Sequence, residues 1–217
     1  MAYTYYWADG SVTEQVYNQF EENGCYIGCG AVAWTILFLW GDRQAGTGNS
    51  YWAPRWGLYR QNGGTGSDAL SPTGMTAGVR NVIREIAGHI GTFCSFGQGA
   101  THPATMAQAS RYFRRRTGTR LVEHHNIFGA HEARLRNYAR NSIRDRGTPA
   151  IIGTGWLSHY PVAYGYKWQR RTVRKSFLWH SWDEVVYDRW FYVNQGWGGY
   201  GNDWVPADTW FSGEIYP

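Results

Sequence analysis

The chain has 217 residues, of which 43% are hydrophobic and 18% aromatic, with 13 tryptophans and a formal net charge of +5. This composition is that of a globular protein of one domain or of a two-lobed unit. The longest apolar run, Ala31–Trp40, is about half as long as a membrane-spanning helix, and no positively charged leader precedes it. We therefore expect no transmembrane segment and no signal peptide in this sequence.

The first two thirds of the chain predict helices. Residues 29–40 form an apolar run of about three helical turns, and the glycine-rich residues 44–72 predict a loop. Apolar residues at helical spacing then predict three further helices. These run from Ser71-Pro72-Thr73 to Ala87, from His102-Pro103 to Phe113, and from Ala130 to Arg144.

From Pro149 onwards the pattern changes to strands. Short aromatic or β-branched stretches, separated by turn residues, predict five of them. They cover residues 149–154, 161–168, 177–182, 184–193 and 203–210. The predicted fold class is therefore α+β, with residues 1–148 mainly helical and residues 149–217 forming an antiparallel β part.

Ten arginines and only three acidic residues lie between Arg111 and Arg146. Such a basic surface could meet nucleic acid or an anionic membrane. However, aromatic residues are not interleaved with this run as in an RNA-binding motif, and lysine occurs only at Lys167 and Lys175. We interpret the arginines as ordinary surface cations, and we do not expect nucleic acid as a partner.

Two cysteines four positions apart, Cys25 and Cys29, stand in the stretch GCYIGCG. Cys29 begins the apolar run and would occupy the first helical turn, where free amide groups and the helix dipole favour a thiolate. Cys25 lies outside that helix. Zinc binding by these cysteines with His124 and His125 is an alternative, but the spacing is a poor zinc pattern, so no metal or cofactor is expected.

A histidine and an asparagine complete a possible catalytic set. His159 opens an apolar strand, and Asn194 ends a strand before a turn built from Gly196, Trp197 and further glycines. A thiolate nucleophile needs a base, and the base needs an orienting group. The order Cys, His, Asn and its spacing match the arrangement of papain-type peptidases.

Three stretches carry a family resemblance. GCGAVAW, HYPVAYGY and VNQGWGGYGNDW resemble the cysteine, histidine and asparagine motifs of papain-like cysteine peptidases, closest to the streptopain-type and bacteriocin-processing-type branches. The resemblance implies a papain-like two-lobed fold, with the cysteine helix in the N-terminal lobe and a β-rich C-terminal lobe. Residues 41–148 match nothing in these families, and we expect the residues that line the cleft to come from there.

The resemblance also assigns roles. It implies Cys29 as nucleophile, His159 as base, Asn194 as the acceptor that orients the imidazole, and Gln19 as oxyanion-hole donor. Trp197 would shield the His–Asn bond, although in papain-type enzymes a tryptophan often stands closer to the asparagine. By analogy with these enzymes, Cys25 would pair with Cys94 in a disulfide.

Several alternatives stay open. Gln19 precedes Cys25 by six residues, the spacing found in papain itself, which keeps Cys25 as a second candidate nucleophile. Transglutaminases, deamidases and acyltransferases of toxin type use the same catalytic parts, and a non-catalytic, aromatic-rich binding module would explain the tryptophans. A peptidase would act on a peptide or protein substrate. We expect a secreted or exported domain or mature fragment of a larger precursor, of unspecified oligomeric state.

Overall fold

A computed structural model describes residues 2–9, 17–47, 52, 74–117, 122–126, 131–155 and 158–216. The expected loop 44–72 and the expected helix start at Ser71-Pro72-Thr73 lie mostly outside these residues, as does Ala130. The fold combines helices with one large antiparallel sheet, so the predicted α+β class is confirmed.

Four α-helices lie in the described residues of the first two thirds of the chain, as predicted, with shifted ends. They are α1 (Cys29–Gly46), α2 (Ala77–Ile90), α3 (Ala109–Thr117) and α4 (Glu132–Arg146), and a 3-10 turn, Met106–Gln108, precedes α3. α1 continues past the apolar run, which was expected to end at Trp40. α2 begins only after Thr76, because the Thr76 hydroxyl caps the helix by accepting from the N–H of Val79 at 3.2 Å.

Eleven β-strands are present among the described residues. They are β1 (Thr4–Trp7), β2 (Glu21–Glu22), β3 (Cys25–Tyr26), β4 (Phe93–Ser95), β5 (Gln98–Ala100), β6 (Val122–Asn126), β7 (Ala150–Ile152), β8 (Val162–Phe177), β9 (His180–Asn194), β10 (Asp203–Pro206) and β11 (Phe211–Ile215). Seven of them form one sheet in the order β10-β9-β8-β7-β11-β6, with β1 paired to β8 beside β7. β2–β3 and β4–β5 form two small hairpins.

The stretch 177–182, predicted as one strand, contains the end of β8, a turn at Leu178 and Trp179, and the start of β9. Phe177 pairs with His180, so this stretch is the tip of the long β8–β9 hairpin, and Leu178 adopts a left-handed conformation with φ 53°. Trp179 at this tip is 93% exposed. Beyond Trp168 and Trp190 neither β1 nor β10 accompanies the hairpin, and we call residues 169–188 the outer ribbon.

The sheet has a buried core on each face. Ile151 of β7 packs with α1 and α2, whereas its neighbours Ala150 and Ile152 pack with α4, as the alternation of a strand requires. A β-bulge between Ala163 and Gly165 shifts this alternation in β8. As a result Tyr164 belongs to the core under α1 and Tyr166 to the core under α4.

No helix in the described ranges is long and apolar enough to cross a membrane. β1 and β6 come from the part of the chain expected to be mainly helical, so residues before 149 contribute two strands to the large sheet.

Candidate active site

The thiol of Cys29 lies at the N-terminus of α1, as predicted. Gly28 is the N-cap residue of this helix, with φ 94°, a backbone conformation that residues other than glycine rarely adopt. A Cβ on Gly28 would also come within 2.9 Å of the carbonyl oxygen of Gly99. The backbone before Cys29 therefore needs glycine for both its conformation and its packing, and this fixes where the thiol points.

Cys25 and Cys94 form a disulfide, with Cα atoms 5.9 Å apart, and Cys29 is the free cysteine. The pairing implied by the family resemblance is thus present. The bond joins β3 to β4 and holds the β4–β5 hairpin beside the start of α1. It also removes Cys25 as a nucleophile or zinc ligand, and no group of three or more potential metal ligands occurs in the described part of the chain.

His159 is held by its own backbone. It forms a two-bond bridge with Thr154, with N···O distances of 3.0 and 3.3 Å. Its Nε2 lies 3.0 Å from the carbonyl oxygen of Gln195. Because a carbonyl oxygen only accepts, the imidazole donates from Nε2, which leaves Nδ1 as the atom that can take a proton.

The imidazole has an acceptor that was not predicted. Asn194 was expected to accept from His159; the Asn194 side chain is buried, and its Oδ1 accepts from the N–H of Gly196 at 2.9 Å. The next residue, Gln195, contacts the imidazole instead. The N–H of Gln195 donates to Oδ1 of Asn202 at 3.1 Å, which fixes the peptide that supplies this carbonyl.

Trp197 covers the imidazole, with ring centroids 5.0 Å apart and an interplanar angle of 33°. Trp197 thus contacts the imidazole, whereas the bond it was expected to shield was that between His159 and Asn194; the indole itself is partly exposed. Asn18 pairs with Trp197 in an isolated bridge, and the N–H of Gly198 donates to the carbonyl oxygen of Tyr17 at 3.1 Å. These contacts hold the segment that carries Gln19 against the turn after β9.

One open cavity of about 520 Å³ is lined by Cys29, His159, Gln19, Gln195 and Trp197. The structure thus brings together four of the five residues to which the sequence assigned catalytic or supporting roles. Asn194 is not among the residues that line the cavity, and its side chain supports the turn by accepting from Gly196.

Four further residues line this cavity and were not predicted: Gln98, Gly99, Thr154 and Ser158. Gln98 and Gly99 belong to β5, in the part of the chain expected to supply the cleft. Only the Cys25–Cys94 pairing, which anchors the β4–β5 hairpin, signalled in the sequence that residues near Cys94 lie beside Cys29.

Burial dominates the protonation of both reactive groups. It raises the pKa of the Cys29 thiol, although the backbone N–H groups of Tyr160, Cys29 and Gly30 act in the opposite direction. It also lowers the pKa of His159, against the hydrogen bonds with the backbone and side chain of Gln195. The amide groups at the helix N-terminus therefore act in the expected direction, but desolvation outweighs them and the pKa of the thiol is raised overall.

Burial thus disfavours the charged form of each group. The backbone amide of Tyr160 contacts the Cys29 thiol, and Cys29 and His159 line the same cavity. Such a pair can deliver a sulfur nucleophile when the imidazole takes its proton. The chain matches no protein-family model and no curated protein.

Proposed function

We propose that the protein is a papain-like cysteine peptidase that cleaves peptide bonds through a thioester on Cys29. One observation carries this proposal. The free cysteine lies at a helix N-terminus in the same cavity as an imidazole whose Nε2 is bound to a peptide carbonyl. A free buried cysteine by itself is ordinary, but a base with a fixed tautomer beside it is the arrangement that nucleophilic catalysis requires.

In the proposed reaction His159 Nδ1 takes the thiol proton as Cys29 Sγ attacks the carbonyl carbon of the substrate. The tetrahedral oxyanion accepts hydrogen bonds from the backbone N–H of Cys29 and the side-chain amide of Gln19. His159 then gives its proton to the leaving amine as the C–N bond breaks. Water, deprotonated by His159, hydrolyses the thioester and releases the free thiol.

The fold supports a two-lobed reading of this site. Cys29 at the start of α1 and Gln98 and Gly99 of β5 line the cavity on the side of the helix, and His159 and Gln195, which lie just outside β8 and β9, line it on the side of the sheet. The cavity is open and lies between them, where an extended peptide could enter. The Cys25–Cys94 disulfide fits the oxidising compartment that a secreted or exported peptidase would meet.

The decisive experiment is labelling with a peptide chloromethyl ketone, followed by mass spectrometry of the modified peptide. We expect one label on Cys29 in the wild type, none in Cys29→Ala, and a rate lower by about 10²–10⁴-fold in His159→Ala because the general base is lost. His180→Ala, at the exposed tip of the β8–β9 hairpin, is the matched control and should label at the wild-type rate. Labelling of His159→Ala at the wild-type rate would contradict the proposal.

The reaction product separates the peptidase from the other enzymes that use these parts. Incubation with denatured protein substrates should create new N-termini, and Gln19→Ala should lower kcat about 10²–10³-fold. Incorporation of a primary amine without chain cleavage would identify an acyltransferase or transglutaminase instead, and conversion of glutamine to glutamate a deamidase. Absence of both labelling and product would favour the non-catalytic binding module.

A further inference from the structure

A second cavity, of about 230 Å³, lies on the α4 face of the sheet, away from the thiol. Three arginines, three tyrosines and one tryptophan line it, and none of these seven residues is acidic. Arg189 in its wall stands five residues before Asn194 in β9, which corresponds to about 17 Å along a strand. The cavity is therefore separate from the Cys29 site.

The elements around this cavity bring its residues to one face. Tyr6 of β1 pairs with Tyr166 of β8, and Trp168 pairs with Arg189 of β9, so these side chains project from the same side of the sheet. Arg140 and Arg144 lie one turn apart on α4, which packs over this side. The cavity forms where the last turns of α4 pass over the three strands.

Two of the three arginines form no ion pair with a carboxylate in the described part of the chain, although Asp145, which pairs with Arg144, also interacts electrostatically with Arg140. Arg144 binds Asp145 at 2.5 and 2.8 Å. Arg140 donates to the neutral amide oxygen of Asn141 at 2.9 and 3.1 Å, and Arg189 hydrogen bonds to Tyr166. Within the described ranges, Arg140 and Arg189 form no ion pair. The lining of the cavity thus presents about two positive charges to a bound ligand.

We propose that this cavity binds a small organic phosphate monoester. A phosphate monoester carries about −1.5 to −2 charges near pH 7, which matches the two unpaired arginines, whereas a carboxylate would leave one of them uncompensated. Planar guanidinium groups bind phosphate oxygens with paired hydrogen bonds. Trp168 and Tyr187, with ring centroids 5.8 Å apart, provide an aromatic wall for the organic group of the ester.

The test is isothermal titration calorimetry with phenyl phosphate, inorganic phosphate and benzoate. We expect phenyl phosphate to bind more tightly than either of the others, since only it carries both the charge and the ring. Arg140→Gln and Arg189→Gln should each raise its Kd about 10–100-fold, the loss expected for one hydrogen-bonded charge. Arg134→Gln is the matched control, because Arg134 lies on the exposed side of α4 and bonds Tyr138.

Each other outcome overturns the proposal. Equal weakening by Arg134→Gln would mean that the protein attracts anions without a site. Benzoate binding as tightly as phenyl phosphate would refute the charge match, and inorganic phosphate binding as tightly would refute the organic ester. If Arg140→Gln does not fold, Arg140→Lys replaces it: it keeps the charge but loses the planar fork, and unchanged affinity there would count against the site.

Discussion

At the scale of single residues, the protonation of Cys29 and His159 has a measurable effect on stability. Burial places the pKa of His159 below its ordinary 6.5 in the folded protein and that of Cys29 above its ordinary 9.0. The unfolded chain therefore binds the His159 proton more readily, so this group's contribution to the free energy of unfolding is complete above pH 6.5 and falls as the pH drops. The contribution of Cys29 is complete below pH 9.0 and falls as the pH rises.

We accordingly expect maximal stability between pH 6.5 and 9.0 from these two groups. Urea unfolding at a series of pH values measures it. His159→Gln should flatten the acid side of the profile, and Cys29→Ser should flatten the alkaline side. Profiles of the variants that run parallel to that of the wild type would show that neither group has the assigned pKa direction.

The turn after β9 contains two neighbouring residues with different contacts: Asn194 supports the turn, and Gln195 contacts His159. Asn194→Ala removes the acceptor of a buried N–H on Gly196 and should lower the free energy of unfolding by about 1–3 kcal/mol. Gln195→Ala retains the backbone carbonyl that binds His159 and should cost less than about 1 kcal/mol. Chemical denaturation of both variants tests this, and the reverse order would return the orienting role to Asn194.

Gly28 offers a matched pair of substitutions with Gly88. Gly28→Ala combines a positive φ with a 2.9 Å approach to Gly99, and should destabilise by about 1–3 kcal/mol. Gly88 lies within α2, and a Cβ there meets nothing within 4 Å, so Gly88→Ala should stabilise by about 0.5–1 kcal/mol. Thermal unfolding gives both values. Equal effects of the two changes would contradict the cap geometry.

At the scale of elements, the disulfide anchors the β4–β5 hairpin, which supplies Gln98 and Gly99 to the cavity that contains Cys29. It closes a loop with a sequence separation of 69, for which chain entropy gives a stabilisation of about 4 kcal/mol. Thiol titration of the denatured chain should find one thiol without reductant and three with it. The double variant Cys25→Ser/Cys94→Ser should lose stability by about that amount. Three thiols without reductant would refute the pairing.

Elements that are determined by neighbouring residues in the sequence could be predicted, whereas elements that depend on contacts far along the chain could not. The start of α1 follows from Gly28 and the apolar run beside it, and His159 follows from its place at a strand edge. β1 was missed because Thr4–Trp7 becomes a strand only by pairing with Gly165–Trp168, far along the chain. The hairpin tip was read as a strand because Phe177, Leu178 and Trp179 are strand-forming residues, although Leu178 adopts a turn conformation without glycine.

For the candidate site, the sequence predicted which side chains come together but not their pKa shifts or the backbone group that binds the imidazole. The sequence motifs identify Cys29, His159, Gln19 and Trp197, and the structure brings these four residues into one cavity. Two features could not be predicted. One is the desolvation that shifts the pKa values of Cys29 and His159, and the other is the backbone carbonyl of Gln195, because every residue has such a group. Gln98 was missed because its hairpin reaches the site only through the packing of β5 against the turn before α1.

At the scale of the whole molecule, the long β8–β9 hairpin joins a rigid centre to an exposed arm. Its inner half is buried between two cores, whereas the outer ribbon is exposed and carries cross-strand ion pairs. These include Arg171–Asp188 at 2.6 Å and Arg174–Asp183 at 3.6 Å. Exposed pairs of this kind contribute little to stability.

We therefore expect amide hydrogen exchange to divide this hairpin. Peptides from the outer ribbon should exchange through local opening, well before those from β7 and β11, which are buried throughout. Exchange followed by mass spectrometry measures the difference. Equal protection of the outer ribbon and β11 would show that the whole hairpin unfolds as one unit with the sheet.

The hydrogen bond from His159 to the carbonyl of Gln195 has a consequence for mutagenesis. The acceptor is a backbone carbonyl oxygen, so a substitution at position 195 changes the side chain and leaves this acceptor in place. An alanine scan would therefore remove only the contact of the Gln195 side chain with His159 and would underestimate the role of this residue in orienting the imidazole. Changes that alter the shape of the turn, and not only its side chains, are needed to remove the acceptor.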